Sequence, residues 1–164
     1  MDAVTAVIRS IHVLAGVFWA GTVYFVFAYL GPAARSPEGG RVMERLAPRF
    51  GPAVGIASGL NILSGLALYG RDSQGFRPEW VLSPTGLTFT LGALAAIGAA
   101  VIGGTLLRSD GLQLQAAGAE ISGAPTAEQR TRMETLTRRL ATGTLSAAVL
   151  LTVAVVTMAS ARYV

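Results

Sequence analysis

The stretch Ile8–Gly21, which reads IRSIHVLAGVFWAG, decides how the rest of the chain is interpreted. It contains the only histidine of the sequence, inside a run that is otherwise almost entirely apolar. On a helix with 3.6 residues per turn, positions three or four apart share one face. One face of this stretch therefore holds Arg9, His12, Gly16 and Trp19. This face combines a cation, an imidazole, a backbone without a side chain and an indole. We therefore expect the chemistry of the protein to occur on this face.

The composition is that of a membrane protein. Hydrophobic residues make up 52% of the 164 residues and charged residues only 13%, whereas a soluble domain carries roughly 25% charged residues. Cysteine is absent, which excludes disulfides, thiolate metal sites and thiol catalysis. All 13 basic residues are arginine. In such a composition the net charge of +4 reports membrane topology, and we expect no nucleic-acid partner.

Four apolar segments are long enough to cross a bilayer, which takes roughly 20 helical residues. They are 4–30, 50–69, 85–107 and 141–161. Gly31-Pro32 is expected to end the first helix, which is too long for the core of a signal peptide. Thr126 and Gln129 form a capping-box pattern, so a helical extension over 126–140 should lead into the fourth span. The sequence predicts an all-α fold, an integral membrane four-helix bundle of up-down-up-down topology in one domain.

Polar loops connect these spans, and the first, 33–49, is expected to become helical from Gly40. In the second span, Gly51, Gly55 and Gly59 form a ridge of small residues, for which general helix packing is the expected role. Asn61 lies on the same span, where an amide at mid-membrane needs a hydrogen-bond partner.

The arginines predict the orientation. Four of them follow the first span and five follow the third, whereas the opposite end has Arg9, Arg71, Arg77 and Arg162. By the positive-inside rule, the richer segments are cytoplasmic and both termini lie outside. His12 then lies about 12 Å from the outer edge of the membrane, at 1.5 Å per residue. Asn61 lies at a similar depth and Met158 somewhat shallower, so the polar features converge on the outer half.

Two explanations of this convergence remain open. In the first, His12 hydrogen-bonds Asn61 or a backbone carbonyl and fixes the helix register, while Arg9 extends to the interface. In the second, the imidazole of His12 is an axial ligand to the iron of haem b. Gly16 would let the macrocycle lie against the helix, and Trp19 would border its edge. Arg9 would pair with the haem propionates, assisted by Arg162 or Arg71.

The run from Arg9 to Gly21 resembles the first helix of a family of small bacterial membrane proteins. This family includes the copper-resistance D-type membrane domain, the HemJ-type protoporphyrinogen oxidase and the membrane part of cytochrome-c-linked urate oxidase. Its shared pattern is a histidine seven residues before a tryptophan that is followed by a small residue and glycine. His12, Trp19, Ala20 and Gly21 match that pattern. The closing run 158–163 is also similar to the end of uncharacterised relatives, and the resemblance implies a bacterial inner-membrane protein.

This sequence differs from each of the three named members of the family, and each difference argues against the activity of that member. HemJ-type enzymes rely on a lysine in a later helix, and this sequence contains no lysine. The urate oxidase relatives have a cytochrome c domain, whose Cys-x-x-Cys-His attachment is absent from this sequence. Copper-handling relatives would offer further ligands, but Met43 and Met133 lie in the segments assigned to the cytoplasm. A copper site with three ligands is therefore not expected.

The leading expectation is a b-type haem protein in the lipid bilayer that uses His12 and moves electrons near the outer face. The second axial ligand is left open: Met158, His12 of a second copy in a homodimer, or none. The alternative is a non-catalytic structural or assembly subunit of a larger membrane complex. An enzyme acting on a small substrate ranks third, because the sequence offers no carboxylate pair, nucleophile or nucleotide-binding loop.

Overall fold

The structure, a computed structural model, describes residues 2–34, 36–121 and 123–164, apart from the side chains of Pro37, Glu44, Ala47 and Arg162. These residues form helices with short connections, and they contain no strand. The helices are α1 (Ala3–Phe25), α2 (Gly31–Ala33), α3 (Pro37–Asp72), α4 (Pro78–Val81), α5 (Pro84–Ile102), α6 (Arg108–Ala119) and α7 (Ala127–Ser160). A π-helical turn, Val26–Leu30, joins α1 to α2, and a second, Gly103–Leu107, joins α5 to α6.

Four helical segments are long and apolar enough to cross a membrane. They are Ala3–Ala33, Pro48–Asp72, Pro84–Ala119 and Ala127–Ser160. The predicted all-α class and the number of apolar helices are therefore confirmed within the described residues. Four apolar helices of this length are typical of a multi-pass membrane protein.

The first helix pair is α1 with α3. Asp2 at the start of α1 pairs with Arg71 near the end of α3, and His12 further along α1 meets Asn61. Rising residue numbers on α1 therefore meet falling numbers on α3, and the two helices run in opposite directions.

The second helix pair is α5 with α7. Thr85 at the start of α5 donates a hydrogen bond to the carbonyl of Val164 at the end of the chain, at 2.9 Å. Further along, a β-carbon added at Gly98 would lie 3.4 Å from Leu150. These two helices therefore also run in opposite directions, and small residues at the contact allow a close approach.

The interior of the bundle consists of small side chains around Trp19, which is 3% exposed. Its buried neighbours are mostly alanines: Ala57, Ala95, Ala96, Ala99, Ala147, Ala148 and Ala154. Large apolar side chains instead lie on the outside, where Leu14, Leu63 and Leu94 are more than half exposed. Small residues inside and large apolar residues outside are the arrangement expected where lipid, not water, surrounds the helices.

The first apolar helix continues beyond Gly31-Pro32, so the prediction that it ends there is wrong. After the π-helical turn, α2 extends the helix to Ala33. The N–H of Gly31 bonds to the carbonyl of Val26, five residues earlier, and this wider turn reduces the clash of a proline ring with the preceding carbonyls. Pro32 consequently lies in the first positions of α2, where proline is tolerated.

Helix α3 begins at Pro37, whereas the sequence predicted helical structure from Gly40. Ser36 caps it, because its side chain accepts a backbone N–H from the first turn. The helix then passes into the second apolar segment through Pro48 and Pro52, without a break.

The third apolar helix also extends further than predicted, through the second π-helical turn and α6 to Ala119. The fourth begins as predicted. The Thr126 hydroxyl accepts the N–H of Gln129 at 3.2 Å, and the Gln129 side chain accepts the N–H of Thr126 at 2.9 Å. This capping box starts a helix that runs without interruption from the polar extension into the apolar span.

The glycine ridge of α3 makes no packing contact with the described residues. Apart from the adjacent backbone of α3 itself, no described heavy atom lies within 4 Å of a β-carbon added at Gly51, Gly55 or Gly59. The packed face of α3 instead contains the buried residues Ala57 and Asn61. Two positions along a helix correspond to about 200° of rotation, so the ridge lies on the opposite side from Ala57. The expectation that this ridge packs on another helix of the chain is therefore wrong.

Candidate functional site

The contact between α1 and α3 is built on a reciprocal pair of hydrogen bonds. The Nδ1 atom of His12 lies 2.8 Å from the backbone oxygen of Asn61. In return, the Asn61 side-chain amide donates to the backbone oxygen of His12 at 2.8 Å. Asn61 is buried and His12 is half-buried. The amide at mid-span thus has the partner that its position requires.

The short contact with a carbonyl assigns the proton on the imidazole. A backbone oxygen can only accept, so the proton of neutral His12 lies on Nδ1 and is donated to Asn61. The Asn61 amide nitrogen and the Ser64 hydroxyl lie farther from Nδ1, at 3.3 and 3.4 Å. Nε2 then has a lone pair, and none of the described hydrogen bonds uses it.

Nε2 is not fully buried within the described residues. Within the described residues, no buried polar side-chain atom lacks a hydrogen-bond partner. Nε2 has no such partner, and so it is not buried. His12 therefore has one nitrogen fixed to α3 and the other accessible from outside the chain. In an apolar environment an unpaired acceptor is costly, which favours a ligand or partner at Nε2.

Two glycines allow this contact to form. A β-carbon added at Gly16 would lie 2.7 Å from the Asn61 amide nitrogen, and one added at Gly65 would lie 2.8 Å from Cε1 of His12. Side chains at either position would therefore push the two polar groups apart. Gly16 belongs to the face of α1 predicted from the sequence, whereas Ser64 and Gly65 were not predicted at the site. Their spacing of three and four residues from Asn61 was the available signal, because it places them on one face of α3.

The other residues predicted at the site do not lie at the contact between His12 and Asn61. Trp19 lies in the alanine-lined interior. Arg9 is exposed and forms no ion pair or hydrogen bond with the described residues. Met158 packs against Gly92 of α5, in the second helix pair. The predicted role of Arg162 concerns a side chain outside the described residues.

Arg71 is paired with Asp2 at the start of α1. Asp2 caps this helix by accepting the backbone N–H of Thr5 at 2.7 Å. That hydrogen bond, the hydroxyl of Thr5 and the guanidinium of Arg71 hold the pKa of Asp2 below its ordinary value of 3.8. Arg71 would have to share its charge with this carboxylate if it also bound a propionate.

The geometry of His12 suits an axial ligand to haem iron, but α1 does not offer the predicted flat surface at Gly16 for the haem ring. Accessible Nε2 with Nδ1 anchored is the arrangement of a metal-binding histidine. The space beside Gly16, however, is filled by the Asn61 amide. The described residues contain no group of three or more histidine, cysteine or acidic side chains that could hold a metal. A haem held by His12 would therefore lie outside the α1–α3 contact, and its contact with Gly16 stays a prediction that requires Asn61 to move.

Fold and site together describe an all-helical protein with four apolar helices and one anchored histidine. Comparisons with protein-family models, with curated proteins and with solved structures gave no match for this chain. The resemblance of the first helix to the copper-resistance and HemJ-type proteins accordingly stays a prediction.

Proposed function

We propose that this chain is an integral protein of a bacterial cytoplasmic membrane, with four helices that cross up-down-up-down and both termini outside. The Asp2–Arg71 and Thr85–Val164 contacts support this proposal. They bring both ends of the chain to the end of the bundle where α3 connects to α5. The segments richest in arginine lie at the opposite end, as the positive-inside rule requires of cytoplasmic segments.

Within that membrane protein, Nε2 of His12 would hold the iron of a b-type haem near the outer face. The single observation that supports this role is the hydrogen bond of Nδ1 to the Asn61 carbonyl, with Nε2 left accessible. Histidines that bind metals almost always donate their other ring N–H to a carbonyl, carboxylate or water, which fixes the ring and raises the basicity of the ligand. Asn61 performs both tasks here through its backbone oxygen.

The chain's own residues have limited roles in this proposal. α3 orients the imidazole, Gly65 leaves space for the ring, and Arg9 supplies a cation one turn away without a competing carboxylate among the described residues. Bound haem supplies one-electron chemistry. The second ligand would be Met158 after a rearrangement, His12 of a second copy in a homodimer, or none.

A second function, a structural or assembly subunit of a membrane complex, is favoured by a different observation. The Asn61 amide fills the space beside Gly16 and donates to the backbone of α1. In this second function, His12 and Asn61 hold α1 and α3 together, and Nε2 of His12 accepts a hydrogen bond from another subunit.

Absorption spectroscopy distinguishes the two functions. The full chain is expressed with haem supplied and purified in detergent, together with His12→Ala and Tyr24→Phe. Tyr24→Phe is the matched control, because it removes an inter-helix hydrogen bond of α1, to Thr152 at 2.9 Å, but leaves the imidazole. The haem proposal predicts a Soret band in the parent and in Tyr24→Phe, and its loss in His12→Ala. A colourless parent, or equal haem in His12→Ala, would leave the structural subunit as the better account.

A further inference from the structure

Ser64 on α3 has a hydroxyl that reaches the contact between His12 and Asn61, and it has no part in the proposed function. The residue is buried. Its hydroxyl oxygen lies within hydrogen-bond distance of three atoms: the carbonyl oxygen of Leu60, the carbonyl oxygen of Asn61 at 3.1 Å and Nδ1 of His12 at 3.4 Å. A hydroxyl has one proton and two lone pairs, so it cannot donate to all three atoms.

The carbonyl of Leu60 takes the hydroxyl proton of Ser64. This contact is the shortest of the three, and a serine in a helix commonly donates to the carbonyl four residues earlier. Nδ1 of His12 has a proton of its own, which it donates to the carbonyl of Asn61 at 2.8 Å. Toward Nδ1, the oxygen of Ser64 can therefore act only as an acceptor. Two acceptors, a near one on Asn61 and a farther one on Ser64, lie beside a single N–H.

The imidazole of His12 meets α3 through one edge. A β-carbon added at Gly65 would lie 2.8 Å from Cε1 and 3.2 Å from Nδ1, but 3.9 Å from Nε2. A half-turn of the ring about its bond to Cβ would exchange Nδ1 with Cδ2 and Cε1 with Nε2. The flipped ring would present a carbon to both acceptors and would turn Nε2 toward Gly65. Each acceptor beside Nδ1 therefore opposes this flip.

We infer that Ser64 is a positioning residue for His12. Its hydroxyl oxygen accepts a share of the Nδ1 proton and, together with the carbonyl of Asn61, keeps Nε2 turned away from α3. The consequence for haem rests on the proposed function. Acceptors at the second ring nitrogen fix the ring and shift electron density toward the ligand nitrogen, and their loss typically weakens metal binding by roughly 10- to 100-fold. Ser64 is the farther acceptor, so its loss should lie near the lower end of that range.

NMR of the haem-free chain, labelled with ¹⁵N at histidine, tests the inference without any haem. Ser64→Ala removes the second acceptor, so the Nδ1 proton should exchange with water about threefold faster, as the loss of one weak hydrogen bond allows. Ser64→Thr keeps a hydroxyl at this position and should restore the exchange rate of the parent. The matched control is Ser58→Ala. It removes a hydroxyl that donates only within α3, to the carbonyl of Gly55, and should leave the exchange rate unchanged.

Titration of the same variants with haem gives a second measurement. Ser64→Ala should bind haem about tenfold more weakly than the parent. Its reduction potential should be higher, because less electron density at Nε2 favours the reduced iron. Ser64→Thr and Ser58→Ala should resemble the parent in both respects.

The NMR result decides the role of Ser64 independently of the proposed function. A parent that binds no haem would contradict the proposed function and leave the NMR comparison intact. An unchanged Nδ1 proton in folded Ser64→Ala, or an equal change in Ser58→Ala, would overturn the inference and leave Ser64 with its bond to Leu60 alone. Melting temperatures show whether each variant is folded. Should Ser64→Ala fail to fold, Ser64→Cys replaces it, because sulfur is a weak acceptor and the same direction of change is expected.

Discussion

At the residue scale, Asn61 connects two helices through both its backbone and its side chain. Its carbonyl accepts from His12, and its amide donates to the His12 carbonyl. Inter-helix hydrogen bonds in membranes contribute about 0.6 kcal/mol on average and up to about 1.7 kcal/mol. The two hydrogen bonds therefore contribute measurably to the stability of the α1–α3 pair. They also hold the imidazole of His12, the candidate ligand, in place.

Replacing Asn61 with alanine should therefore lower the free energy of unfolding by about 1 kcal/mol, because the amide donor to α1 is lost. Ser58→Ala is the control, since the Ser58 hydroxyl donates only within α3, to the carbonyl of Gly55. Thermal unfolding in detergent measures both, together with His12→Ala and the double variant. Each side chain bonds to the backbone of the other residue, so the two substitutions remove different hydrogen bonds and their losses should be close to additive. No loss in Asn61→Ala, or an equal loss in Ser58→Ala, would contradict a stabilising contact between Asn61 and α1.

At the element scale, the two faces of α3 should respond in opposite ways to the same substitution. Gly65→Ala should destabilise the α1–α3 pair, because the new β-carbon would lie 2.8 Å from the imidazole of His12. Gly55→Ala should leave stability unchanged or raise it by up to about 1 kcal/mol, since alanine is the better helix former and nothing lies within 4 Å. Melting temperatures in one detergent compare the two variants. Equal destabilisation would mean that the ridge packs on another surface.

The stability of helix α1 should depend on pH through Asp2, the residue that caps its first turn. Asp2 has a lowered pKa, so its charged form stabilises the fold above the ordinary value of 3.8, and this contribution is lost as the pH falls through the folded-state value. Asp2→Asn keeps an acceptor for the N–H of Thr5 but loses the pairing with Arg71. At neutral pH the parent should melt above Asp2→Asn, and the difference should vanish in strong acid. A difference independent of pH would contradict the assigned charge effect.

Sequence patterns predicted the faces of the helices better than their ends or their mutual rotation. A 3.6-residue period places His12 and Trp19 on one face of α1, and both contact the rest of the bundle, whereas Arg9 of the same predicted face is exposed. A buried amide at Asn61 requires a partner. The spacing of small residues could not predict which face of α3 packs in the bundle. The face with Ala57, Asn61 and Gly65 and the opposite face with the glycine ridge both have small residues at a spacing of four. Helix ends were missed for another reason. π-helical turns depend on backbone hydrogen bonds that Gly31-Pro32 and Leu107 do not reveal.

At the scale of the whole molecule, the arginines divide along the bundle axis. The contacts of Asp2 with Arg71 and of Thr85 with Val164 place both termini at the end with fewer arginines. Such an asymmetry sets orientation during insertion, because arginine-rich segments are retained on the cytoplasmic side. The alanine-rich core adds no orientation signal, since it is apolar along its whole length.

Fusion of a reporter that is active only in the cytoplasm tests this orientation. A fusion after Pro37 should be active and one after Val164 inactive. Exchanging Arg41 and Arg45 for glutamine should weaken the first signal, whereas Arg77→Gln, at the opposite end, should not. Activity of the C-terminal fusion in the parent would reverse the orientation and place His12 near the cytoplasmic face.

The central claim is that Nδ1 of His12 is occupied by α3 and that Nε2 is left as the ligand atom. Because His12 is the only histidine, ¹⁵N NMR of the haem-free protein labelled at histidine reports this ring alone. For the neutral ring, the structure predicts a proton on Nδ1, bonded to the Asn61 carbonyl, and a bare Nε2 whose signal is lost when haem is added. A proton on Nε2, with Nδ1 as the acceptor, would contradict the account.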